Sequence, residues 1–168
     1  MKGSTVETNM SAPLMRLDEA IEQAAGQYYR LVIVAGVPGS GKTAMTQSLA
    51  TARGYPLINV NLELSKRLLD LTRVQRSRQV ERLLKEVIAS VTGDVVILDN
   101  IELLFDTALE LEPLRSLQGA SRNRTIVATW NGSFNNGTLM YAEPGHPEFV
   151  PFKQTEAIVV LASTSETN

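Results

Sequence analysis

The eight residues GVPGSGKT at 36–43 constrain this chain more than any other stretch. Gly36, Gly41, Lys42 and Thr43 fall at the spacing G-x-x-x-x-G-K-[ST] of a phosphate-binding loop. Glycines let the backbone bend until several N–H groups aim at one phosphate, and a helix beginning there adds free donors and partial positive charge. The required context is present. The apolar run LVIVAG (31–36) precedes the loop, and a helical stretch from Lys42 to about Ala52, closed by Gly54, follows it. Lys42 is therefore expected at the β- and γ-phosphates of ATP and Thr43 at its Mg²⁺, with Pro38, Gly39 and Ser40 completing the loop. The alternative is a glycine-rich turn that matches by chance, which strand before and helix after oppose.

The rest of the chain alternates in the same way. Leu14, Leu17, Ile21 and Ala24 recur at helical spacing and predict an amphipathic helix over 13–26. Strands are expected at 55–61 (YPLINVN), 94–99 (DVVILD), 125–130 (TIVATW) and 157–162 (AIVVLA). Residues 62–91 read as helical in two pieces and 106–120 as mostly helical, with Pro113 near a helix start. The Gly-, Asn- and Pro-rich segment 131–153 reads as a loop or short hairpin, and 1–12 and 163–168 as disordered ends. Strands apolar along their whole length, alternating with helices, imply a parallel sheet covered on both faces. The expected fold is one domain over 1–168, a three-layer α/β/α phosphate-loop NTPase. Its mainly parallel five-stranded sheet has the additional-strand, AAA/RecA-like order, with no C-terminal lid. The acid-bearing strand is expected beside the first, and ligands at the carboxyl ends of the strands.

The third strand ends in Asp99, which lies where an acid would hold Mg²⁺ through water. A strand ending in an Asp-Asn turn is the plain alternative. The next residue, Asn100, can orient a water but cannot take its proton. Two glutamates compete for that role. Glu102 returns toward the site if a helix begins there, and Glu63 follows the second strand, where some RecA-like ATPases carry theirs; either also suits the first turn of a helix. Asn131, at the end of the fourth strand, is placed to sense a γ-phosphate or to turn the chain before Gly132, and Thr129 shares its face. Arg122 and Arg124 precede that strand. The amino end lies opposite the chain's own site, so an arginine finger there would act on a neighbouring subunit.

Composition narrows the classes. With no cysteine and a single histidine, His146, disulfides, thiolate catalysis, cysteine-ligated zinc and multi-histidine metal sites are excluded. Net charge of −2 gives no argument for nucleic acid. Arg73, Arg76, Arg78, Arg82 and Lys85 nevertheless share one predicted helix, and could contact DNA or a partner or simply face water. Tyr141, Phe149 and Phe152 suggest a loop that packs on something. No apolar run approaches the ~18 residues of a membrane span, and the N-terminus lacks an apolar signal core, so the protein is expected to be soluble and cytoplasmic.

The stretches YPLINVNLELSKRLLDL, VVILDNIELLF, LRSLQGASRNRTIVATWNG and YAEPGHPEF, with GVPGSGKT, resemble the small phosphate-loop protein of type 3 BREX bacteriophage-defence systems, the BrxF family, over residues 14–160. That resemblance implies a bacterial protein encoded with a DNA methyltransferase, an alkaline-phosphatase-like protein, a helicase and a large ATPase. It carries over Lys42, Thr43 and Asp99 as nucleotide and magnesium residues and leaves the base open. Three readings follow: a minimal ATPase that turns over slowly or with a partner, in some assembly with itself or others; a nucleotide-gated adaptor that barely cleaves; and a small-molecule kinase. The last is opposed by the single basic residue, Lys153, in 131–153.

Overall fold

A computed structural model describes residues 11–142, 150–153 and 155–162. His146, Phe149 and the tail at 163–168 lie outside those residues, as do positions 1–10 of the expected disordered end. In chain order the elements are α1 (Ala12–Ala24), β1 (Leu31–Gly36), α2 (Lys42–Arg53), β2 (Leu57–Asn59), α3 (Val60–Leu68), α4 (Arg73–Ala89) and β3 (Val95–Asp99). Two 3₁₀ turns (Glu102–Phe105 and Thr107–Leu109) follow. The remaining elements are α5 (Pro113–Ala120), β4 (Thr125–Asn135), β5 (Thr138–Tyr141), β6 (Val150–Phe152) and β7 (Ile158–Leu161).

Five strands run parallel in the order β2-β3-β4-β1-β7. Alternation along each strand divides the core in two. Leu31, Ile33 and Ala35 of β1 join Val96 and Leu98 of β3 against α3, α4 and α5, while Val32, Val34 and Ile97 face α1 and α2. Both faces are thus covered, which is why these strands read as unbroken apolar runs. α1 starts at Ala12, earlier than expected, because the Ser11 side chain accepts from the Leu14 N–H. A reciprocal pair between Thr72 and Gln75 starts α4 and separates it from α3. No helix among the described residues is long and apolar enough to cross a membrane.

The structure corrects the reading at several places. The acid strand β3 does not lie beside β1; β4 pairs with both and separates them. β2 is three residues long, because Asn59 caps α3 through the Leu62 N–H and draws Val60 and Asn61 into the helix. Residues 106–112 form a short 3₁₀ turn and extended chain rather than regular helix. The five expected parallel strands are present, and the segment expected as a loop or short hairpin adds two more to the described sheet, because β4 runs on through Asn135 instead of ending at Asn131. Its parallel partnership with β1 does stop at Asn131, opposite Gly36, after which it pairs antiparallel with β5 and β5 with β6. The turn falls at Asn136–Gly137, both left-handed at φ 51° and 76°, a two-residue Asn-Gly hairpin.

Candidate functional site

The carboxyl ends of β1, β3 and β4 open into one cleft of about 390 Å³. Pro38, Gly39, Gly41, Lys42, Thr43 and Ala44 form one wall. Asp99, Asn100, Glu102, Thr129 and Asn131 form the other. Gly39 and Gly41 take φ of 83° and 95°, a conformation that side-chain-bearing residues rarely adopt, and Gly41 caps the start of α2. The Lys42 ammonium donates to the carbonyls of Gly36 and Val37, each at 2.9 Å. Burial pulls its pKa below the ordinary value, and the nearby carboxylates of Glu102 and Asp99 act in the opposite direction. Gly36 starts the loop beneath the cleft, where a Cβ would come within 2.3 Å of the Ser40 hydroxyl. Ser40 points inward and does not line the cleft.

Asp99 is 3% exposed. Its Oδ1 accepts from the Thr43 hydroxyl at 3.2 Å and the Thr129 hydroxyl at 2.8 Å. A hydroxyl at the start of a helix next to a carboxylate is the oxygen donor set that Mg²⁺ uses when phosphate and water complete its shell, so these residues fit the ion. Among the described residues no cluster of three acidic or histidine ligands could hold a metal alone.

Glu102 reaches the cleft because Asn100 adopts φ 52°, which turns the chain so that Ile101 is buried and Glu102 opens the 3₁₀ turn. Its carboxylate is held at both oxygens. Asn131 Nδ2 donates to Oε1 at 2.7 Å and Asn61 Nδ2 to Oε2 at 2.8 Å. Asn61 also accepts from the Leu103 N–H at 2.8 Å, and its own N–H donates to the Asn100 carbonyl at 2.8 Å. Sequence reading missed Asn61; the only signal was a carboxamide just after the strand beside Asp99, at the second position of the helix that follows it. Such a carboxylate can orient a water and accept its proton.

The other candidates lie elsewhere. Glu63 does not line the cleft and pairs with Lys66 and Arg67 at 3.4 Å. Arg124 donates to the carbonyls of Ile88 and Gly93, each at 3.0 Å, and so finishes α4. Arg122 lies over the Tyr28 ring at 4.8 Å. Both arginines stand at the amino end of β4, away from the cleft.

Residues 32–166 match the family described as AAA, ATPase family associated with various cellular activities. Among curated proteins none matches the chain by sequence. A solved structure of C. elegans PCH-2 is similar at 17% identity and a TM-score of 0.32, covering 74% of this chain and 36% of that one. The chain therefore spans about a third of that protein's length.

Proposed function

The chain belongs to the AAA family of ATPases, and from that premise we propose that it binds ATP with Mg²⁺ in the cleft and cleaves it slowly or with a partner's help. The observation that carries this reading is convergence. The phosphate loop, the buried Asp99 with its two threonine hydroxyls, and the doubly held Glu102 all line one cleft. Loop N–H groups and Lys42 bind the phosphates. Bound Mg²⁺, held by Thr43 and Asp99, would supply charge neutralisation. Glu102 orients the attacking water and takes its proton, and Asn131 follows the γ-phosphate. A second reading, a nucleotide-gated adaptor with little cleavage, is favoured by the two amides that already occupy the Glu102 carboxylate.

The resemblance at 55–71, 95–105, 114–132 and 141–149 supports a finer role. In it the protein is a cytoplasmic component of a bacterial anti-phage assembly, working with a methyltransferase, a phosphatase-like protein, a helicase and a larger ATPase on DNA. Equilibrium dialysis with labelled ATP, with and without Mg²⁺, tests the shared premise. Wild type should bind, and Lys42→Ala should bind at least about tenfold more weakly, a loss of about 1.4 kcal/mol. No binding by wild type would defeat both readings.

A further inference from the structure

Apart from the cleft, the described surface carries an apolar groove of about 500 Å³ next to the 3₁₀ turns. Phe105, Leu111, Leu114 and Phe152 form its floor. Asp106, Glu110 and Glu112 supply acid around it, and its one cation, Arg115, is already paired with Glu112 at 3.2 Å. The groove is therefore apolar within and acidic at its rim.

The complementary surface is on the same chain. Leu69 is 71% exposed and Val74 60%, two aliphatic side chains standing in solvent on either side of the junction between α3 and α4. Arg73 and Arg78 are exposed beside them, and among the described residues neither has an ion pair. This ridge is apolar at its crest, and Arg73 and Arg78 beside it outnumber the one exposed acid, Asp70 next to Leu69, so it is net basic.

α4 joins the two. Val74, Arg78 and Glu81 follow at i, i+4 and i+7 and share one face. Glu81 accepts from the Ser116 hydroxyl at 2.7 Å, on the helix α5 that carries Leu114 and Arg115. From Arg73 to Glu81 the helix rises about 12 Å at ~1.5 Å per residue. Ridge and groove thus border the same flank of the molecule. A second copy turned by a two-fold axis can then use both halves twice, which closes the assembly.

We propose that the ridge Leu69–Arg73–Val74–Arg78 of one copy seats in the acid-rimmed groove of a second copy, and reciprocally. The contact does not involve the nucleotide cleft, so it is tested without ATP. Sedimentation equilibrium of the full chain at low salt should show the mass rising with concentration from 18.4 kDa to twice that value, and falling back as salt is added. Glu110→Lys with Glu112→Lys, and separately Arg73→Glu with Arg78→Glu, should each weaken association at least tenfold. Mixed one to one, the two variants should pair again, because each ridge then meets a groove of opposite charge. Circular dichroism establishes that each variant is folded, and Leu69→Ser provides an uncharged weakening of the same contact. Wild type that stays monomeric at hundreds of micromolar would overturn the proposal. So would a dimer that ignores these changes, or charge variants that stay monomeric when mixed.

Discussion

At Asn100 the backbone stands at φ 52°, a left-handed conformation that asparagine adopts more readily than most side-chain-bearing residues. The sequence shows an amide where an acid would be convenient; the structure shows that the same residue turns the chain to bring an acid in two positions later. Side-chain chemistry was legible at Asn100 and its backbone dihedral was not, since Asn-Ile-Glu is compatible with several turns. Lys42 was fully legible, but its burial was not. That burial has two consequences of opposite sign. The unfolded chain keeps an ordinary lysine near 10.5, so between the lowered native pKa and that value the unfolded state binds more protons, and stability of the nucleotide-free fold rises with pH. Phosphate binding needs the ammonium, so affinity for ATP is full below the lowered pKa and is lost as pH rises through it. Binding titrations across alkaline pH should show the loss begin earlier than an ordinary lysine would give.

The β4–β5 hairpin shows what periodicity alone leaves undecided. Two Asn-Gly pairs, Asn131-Gly132 and Asn136-Gly137, offer turns five residues apart. Only the second turns, because the first lies against β5 with no room for a side chain. A Cβ on Gly132 would stand 1.7 Å from the Met140 carbonyl oxygen. The strand that results buries Trp130, whose ring meets Phe105, Tyr141 and Phe152 edge-on, and whose indole N–H donates to Met140. Gly132→Ala must therefore move backbone, and thermal unfolding should show a loss of about 2–4 kcal/mol. A change near zero would mean that the hairpin is not paired as described. Helices were more legible than this hairpin: Gly54 marks the end of α2 in the sequence itself, and the break within 62–91 was expected, though not the Thr72–Gln75 pair that starts α4 there.

Across the whole molecule, the order β2-β3-β4-β1-β7 explains why residues from distant parts of the chain share one cleft. Parallel strands end on the same side, and the registers of Gly36 with Asn131 and of Asn59 with Asp99 set the loop, the acid and the carboxamides at that end. The three-layer class and the phosphate loop followed from the sequence. So did the additional-strand order, but not the neighbour of the acid strand: it was expected beside β1, and β4 separates them, because which strands touch depends on packing between segments far apart in the chain. The central claim, that this arrangement cleaves ATP through Glu102, is tested most directly by single-turnover cleavage of labelled ATP with Mg²⁺. Wild type and Glu102→Gln would be compared at concentrations where both are saturated. Equal binding with cleavage slowed at least about 10²-fold in Glu102→Gln is the predicted result. Equal rates in the two proteins would contradict it and assign the proton to another group.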